Sequence, residues 1–303
     1  MAIPRVRRAV EAVGGRPNEL AVSLRAHLTE GPAGIDTLAG RVAVVTGGAN
    51  GLGRAVARAL ALQGADIVLA DVESARSERV LSELASYGTG ARLMSLTTDV
   101  RSDRQVRALA IDALKTFGRV DIVVNAAGVL LRGRLDRIHT RDWEWMLEAN
   151  LLGAVRTANA FLPALMDAGR GHIVNTVPMG ALRPFNPDTV AYNAGFAAVA
   201  AFTQGLAAHL DGTEVWASLL CPGPLGPRLG QATRSRGLGR SLHPVEHSAA
   251  AIRAAEQLAG RLVDGIHNPR FLIVADDEDE RILRLERPDL NLIPGMAGAV
   301  PPG

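Results

Sequence analysis

Residues 41–53, Arg41-Val-Ala-Val-Val-Thr46-Gly47-Gly48-Ala49-Asn50-Gly51-Leu52-Gly53, run from an apolar β-type stretch straight into a glycine-rich turn, and a helical pattern opens near Arg54. Glycines at such a junction let the backbone pass close to a pyrophosphate, whose charge the helix N-terminus then stabilises. The turn alone is weak evidence. Here a strand precedes it, a helix follows it, and Asp71 ends the second apolar run about 20 residues on, where a carboxylate would bind adenosine ribose hydroxyls. A tight turn with a capping aspartate is the plainer alternative. Asp71 also bears on the choice of dinucleotide. A carboxylate there repels a 2′-phosphate and neither Val72 nor Glu73 supplies a cation, so NAD(H) is favoured over NADP(H).

Outward from this junction, short apolar runs alternate with helical patterns. β-type runs fall at residues 41–46, 66–71, 91–98, 120–125, 172–177, 215–220 and 271–275. Continuous apolar strands separated by helices mean a parallel sheet covered on both faces. The expected architecture is a single α/β domain over residues 41–286, a doubly wound three-layer sandwich on a parallel seven-stranded sheet. Residues 1–40 read as an appended arm that ends in a Gly/Pro-rich link, and residues 287–303 as a flexible tail. The glycine- and arginine-rich stretch 223–241 shows little periodicity and reads as a loop.

Composition narrows the classes of function. The chain has 303 residues, 48% hydrophobic and 21% charged, with a net charge of +2, too small and too scattered to mark a nucleic-acid partner. No apolar run approaches the roughly 18 residues that span a membrane, and Arg5, Arg7 and Arg8 have no apolar segment behind them to make a secretory signal. The one cysteine, Cys221, excludes an intrachain disulfide or a Cys-based zinc site and fits a reducing cytoplasm. His243 and His247 have metal-like spacing, but Pro244 marks a helix start and a solvated cap is the plainer reading.

Further landmarks follow the glycine turn in order. Asp99-Val100 follows the third run, Asn125-Ala126-Ala127-Gly128 the fourth, Asn150 lies in the next long helix, and Cys221-Pro222-Gly223-Pro224 follows the sixth run. With Thr46, Gly47, Asn50, Gly51, Leu52 and Gly53 these resemble the motifs of the short-chain dehydrogenase/reductase family, in register from residue 41 to about 275. The resemblance implies a Rossmann-type fold and a nicotinamide dinucleotide, with Asp99 and Val100 at the adenine, Asn125, Ala126 and Gly128 along the cleft, and Pro222 and Gly223 beside the nicotinamide. It also implies a serine, a tyrosine and a lysine as the working groups, with an active-site asparagine at Asn150.

Two of these are missing. The tyrosine motif reads Tyr192-Asn193-Ala194-Gly195-Phe196, with phenylalanine where the family keeps its lysine, and the serine position falls on Pro178. Shifting the alignment recovers no hydroxyl unless Thr176 is recruited. The only lysine of the chain, Lys115, lies in the helix before the fourth strand. A cation about 4 Å from a phenolate is worth roughly 4 kcal/mol at an effective dielectric near 20, or about three pKa units. Without it Tyr192 is expected to stay near a pKa of about 10, which harms alcohol oxidation more than carbonyl reduction. A lost oxyanion donor costs roughly 3–4 kcal/mol more. Tyr192 and Asn150 then compete with plain packing roles.

Three functions follow. The first is an NAD(H)-binding member with impaired hydride chemistry, silent or regulatory. The second is an oxidoreductase that reduces a small apolar carbonyl with Tyr192 as acid. The third is a non-redox cyclase or isomerase that keeps the nucleotide structurally. The substrate is unspecified by the sequence, and the arginines Arg228, Arg234, Arg236 and Arg240 read either as a greeting for an anion or as a solvated loop. The small, apolar helix from Tyr192 to Leu210 is expected to be covered on both sides, by the sheet and by a second copy in a homodimer or homotetramer.

Overall fold

The computed structural model describes residues 34–183, 186–223, 232–238 and 249–287. In chain order the elements are β1 (Val42–Thr46), α1 (Gly51–Leu62), β2 (Asp66–Asp71), α2 (Ser74–Ser86), β3 (Leu93–Thr97), α3 (Asp103–Phe117), β4 (Ile122–Asn125), β5 (Leu130–Gly133), α4 (Thr140–Asp167), β6 (Gly171–Thr176), a single turn α5 (Met179–Leu182), α6 (Val190–His209), β7 (Val215–Cys221), β8 (Thr233–Arg236), α7 (Ala249–His267), β9 (Leu272–Val274) and α8 (Asp277–Glu286). All seven expected runs form strands, and they assemble into one parallel sheet of order β3-β2-β1-β4-β6-β7-β9. This is the expected doubly wound, Rossmann-type sandwich. Its strand order reverses between β1 and β4, which opens a crevice at their carboxyl ends.

Alternation along the strands divides the core in two. Val44, Val68, Ile173 and Leu219 point to the face covered by α3, α4 and α6, where Leu109, Phe161, Leu165 and Val199 meet them. Val45, Ile67, Val174 and Leu220 point to the other face, covered by α1 and α7 through Val56, Leu60, Leu258 and Ile266. Residues 34–40 lie against this second layer. Ile35 and Leu38 are buried, the Ile35 N–H donates to Ile266 O, and the His267 ring bonds Ile35 O at 2.6 Å.

The stretch expected to be loop holds a strand. β8 pairs in parallel with β5 to make a separate two-stranded ribbon. Its sequence, Thr-Arg-Ser-Arg, has no apolar alternation, and side chains hold it instead. Arg236 grips buried Asp142 with Nη2–Oδ1 of 2.6 Å and Nε–Oδ2 of 2.9 Å, while Arg234 lies 4.0 Å above the Trp145 ring. Arg234 and Arg236 therefore neither reach for an anion nor lie in a solvated loop. Arg228, Arg240, His243 and His247 lie outside the described residues, as do residues 1–33 and 288–303. No helix among the described residues is long and apolar enough to cross a membrane, and no cluster of metal-ligating side chains occurs among them.

Candidate cofactor and active site

The loop between β1 and α1 is built for close approach. Gly47 has φ of +66°, its N–H donates to Ala70 O, and a Cβ on it would stand 2.7 Å from Ala127 Cα. A Cβ on Gly53 would fall 2.2 Å from Gly47 O, so this glycine lets helix and loop touch. Gly51 differs. Its φ is +46° and nothing lies within 4 Å of a Cβ placed there, so its open side faces the space a phosphate would fill at the start of α1. Leu52 follows it on the first turn, partly buried against the α1–α7 core.

Asp71 ends β2 beside the glycine loop. Its Oδ2 accepts from the Ala49 N–H at 3.0 Å and its Oδ1 from the Glu73 N–H at 3.1 Å, so the carboxylate is tied to the glycine loop before any ligand arrives. The structure adds a cation that spacing did not reveal. Arg76 of α2 pairs with Glu73 at 2.7 Å, and its Nη1 also donates at 2.6 Å to the amide oxygen of Asn50 in the loop. The expectation of no cation near the ribose position is corrected accordingly.

Asp99 and Val100 end the loop after β3. The Asp99 carboxyl is held below its ordinary range by the Arg101 guanidinium, which binds both its oxygens. Val100 turns inward, and its Cγ2 is what a Cβ on Gly153 of α4 would strike. The side chain thus packs rather than faces the cleft.

A chain of polar side chains crosses the carboxyl ends of the strands. Asn125 Nδ2 donates to Asn175 Oδ1 at 2.8 Å, Asn175 Nδ2 to Thr203 Oγ1 at 2.9 Å, and Thr203 Oγ1 to Val199 O at 2.7 Å. Thr46 Oγ1 joins it by donating to Asn125 Oδ1 at 3.5 Å while accepting from the Ala127 N–H. Thr46, Asn125 and the backbone of Ala126, whose N–H donates to Thr46 O, fix the floor of the crevice. Asn150 does similar work. Its amide accepts from the Val129 N–H at 2.7 Å and donates to Val129 O at 2.9 Å, which commits the side chain to holding the backbone after Gly128.

Tyr192, Phe196, Asn150 and Gly128 do come together. A Cβ on Gly128 would lie 3.1 Å from Asn150 Oδ1 and 3.6 Å from Phe196 Cζ. The Phe196 ring meets Tyr192 edge-on, with centroids 4.9 Å apart. Burial pushes the Tyr192 phenol above its ordinary value, correcting the expectation that it would stay there. Pro178 stands at the mouth of α5 with no hydroxyl and no N–H to offer, and its carbonyl accepts from the Ala181 N–H. Lys115 is exposed on α3.

Across from this group, Pro222 O accepts from the Met179 N–H at 3.1 Å, which joins the turn after β7 to the turn after β6. Asp279 of α8 was not foreseen there. Its Oδ2 would stand 3.7 Å from a Cβ on Gly223, and burial raises its carboxyl above the usual range. Burial, then the charge of Asp279, pushes the Cys221 thiol well up, so it is an inert core residue.

The groups present fit a dinucleotide: an open glycine at a helix start, a carboxylate one strand away, and a polar floor between. Residues 41–237 match the family model described as short chain dehydrogenase. The chain belongs to the short-chain dehydrogenase family. An uncharacterised oxidoreductase of Staphylococcus saprophyticus is 32% identical over 217 residues, which is 72% of this chain and 92% of that protein. Among solved structures, a short-chain dehydrogenase/reductase from Burkholderia phymatum in complex with NAD superposes with a TM-score of 0.71 at 30% identity, over 89% of this chain and all of that one. An alcohol dehydrogenase from Thermococcus sibiricus complexed with 5-hydroxy-NADP gives 0.59 at 30% identity, covering 64% of this chain and 80% of that one. In this short-chain dehydrogenase Pro178 and Phe196 stand in the stretch that also holds Tyr192, on the turn after β6 and on α6.

Proposed function

We propose that the protein binds NAD(H) and is impaired in the ordinary exchange of hydride between alcohol and carbonyl, serving as a silent or regulatory member of its family. The observation that carries this reading is Phe196, whose ring lies against Gly128 and Tyr192 where a cation would be needed. The nicotinamide supplies the hydride acceptor or donor when bound. The chain's own part would be to hold it, with Gly51 and the α1 N-terminus at the pyrophosphate and Asp71 at the adenosine ribose. Tyr192 keeps its proton far above neutral pH, so it is a poor base for alcohol oxidation. A firmly protonated phenol still serves as an acid, and this observation favours a second reading, slow reduction of a small apolar carbonyl. The carboxylate of Asp71 supports NAD(H) over NADP(H), and the Burkholderia and Thermococcus relatives support a nicotinamide dinucleotide of either kind.

The test is NADH titration followed by NAD reduction with a panel of small secondary alcohols. Binding without turnover is expected. Phe196→Lys should lower the Tyr192 pKa, Pro178→Ser should return a donor, and the double variant should exceed either single one, because both act on one oxygen. Robust wild-type turnover that vanishes in Tyr192→Phe would overturn the silent reading. Failure to bind NADH would overturn all of it.

A further inference from the structure

The hydroxyl of Thr176 is buried and has no hydrogen-bond partner among the described residues. A buried hydroxyl in this condition is costly, and it points to a partner that arrives from outside the chain. Other buried threonines find partners within the chain: Thr46 donates to Asn125 Oδ1, Thr98 to Leu96 O, and the two helical ones take the usual escape. Thr157 donates to Gly153 O at 2.9 Å and Thr203 to Val199 O at 2.7 Å, each to a carbonyl one helical turn back. Thr176 ends a strand, where no such carbonyl lies in reach. From its position as the last residue of β6 we infer that Thr176 donates to the nicotinamide half of the bound dinucleotide, an inference that rests on the NAD(H)-binding reading.

Two geometric facts set the direction. Ile173, Asn175 and Val177 point to the α6 side of the sheet, where Tyr192 packs, so alternation puts Thr176 on the other face with Val174 and Leu220, beneath α1. It is therefore no stand-in for the lost serine beside Tyr192. Its place is the carboxyl end of the sheet, on the side covered by α1 and α7. Strand order then fixes which end of the dinucleotide it meets. Asp71 ends β2, one strand to one side of the glycine loop, and Thr176 ends β6, two strands to the other, about 10 Å away. A molecule held by its adenosine ribose at Asp71 and its pyrophosphate at Gly51 extends its second ribose and ring toward β4 and β6. The residue would restore part of the hold on that half that Phe196 cannot give.

The experiment measures Kd for NADH, ADP-ribose and AMP, with Tm of the cofactor-free protein, for wild type, Thr176→Val and Thr176→Ser. Thr176→Val should weaken NADH about fivefold, leave AMP unchanged and hold or raise Tm, because the unpaired hydroxyl is gone. Thr176→Ser should bind NADH like wild type. Loss of ADP-ribose affinity in parallel would assign the contact to the ribose, and its retention to the carboxamide. If Thr176→Val binds NADH as wild type does, or loses AMP equally, the inference is wrong while the cofactor reading stands. If wild type binds neither NADH nor AMP, both fall.

Discussion

Asp71, Glu73 and Arg76 set opposing charges beside the glycine loop, at the proposed adenosine end of the cleft. Asp71 disfavours a 2′-phosphate; Arg76 would welcome one, were its charge not taken by Glu73 at 2.7 Å and by the Asn50 amide. Both partners of the Glu73–Arg76 pair are around 40% exposed, so their attraction is worth at most about 1 kcal/mol. That is still enough to shift selectivity severalfold. Wild type is expected to bind NADH more tightly than NADPH. Glu73→Gln should narrow the ratio by releasing Arg76, and the narrowing should shrink as salt rises. Asp71→Ala should weaken NADH selectively. Titration of both cofactors at low and high salt decides it, and tighter NADPH binding by wild type would refute the preference. The glycine turn, Asp71 and the Asn125–Gly128 run were legible in the sequence because each lies in one short stretch. Arg76, Asp279 and the orphaned Thr176 hydroxyl were not, since each acquires its meaning only when a second element packs beside it.

At the scale of elements, the same contrast separates the main sheet from the β5–β8 ribbon. The strands of the main sheet announce themselves as apolar runs because all but the edge strand β3 are buried on both faces. Neither Leu130-Leu-Arg-Gly133 nor Thr233-Arg-Ser-Arg236 carries such a pattern; their backbones pair in parallel, and an ion pair between residues 94 positions apart pins β8 to α4. Asp142 is fully buried on the first turn of α4, and the Arg236 guanidinium, against the opposing cost of burial, brings its pKa down to about 2. A carboxyl whose folded pKa lies below the unfolded value of about 3.9 contributes stability that is complete above that value and fades as pH falls through about 2. The ribbon should therefore loosen on acidification between about pH 4 and pH 2, ahead of any part of the sheet that lacks such a pin. Asp142→Asn should reproduce this at neutral pH, costing less than the roughly 3–5 kcal/mol of a fully buried broken pair because Arg236 retains access to water. Hydrogen exchange reads it directly: amides of 130–133 and 233–236 should exchange faster, with those of β1 and β4 unchanged. Equal protection in both proteins would show that the ribbon stands without the pair.

For the molecule as a whole, α6 poses the remaining question. Its inner side buries Phe196, Val199, Thr203 and Leu206 against the sheet and α4. Its outer side leaves Ala194, Ala197, Ala201, Gly205 and Ala208 exposed, spaced three or four apart along one stripe. An exposed stripe of small residues permits two helices to approach closely, and the absence of charge along it makes water a poor permanent neighbour. Five such residues cannot supply the roughly 1,200–2,000 Å² that a stable interface buries, so the adjoining outer face of α4, where Leu152 is exposed, must share the contact. We expect a homodimer or a larger symmetric species built on this surface. Ala201→Glu would place a charge in the middle of the stripe, twice over if the two-fold axis passes near it. In an isolated chain the same change should cost within about 0.5 kcal/mol, because Ala201 is exposed. The two effects separate cleanly in sedimentation and circular dichroism. Wild type should run as a dimer or larger at micromolar concentration, and Ala201→Glu as a monomer with an unchanged helical spectrum. A wild type that sediments as a clean monomer would refute the interface, and a variant that stays assembled would move it to another face.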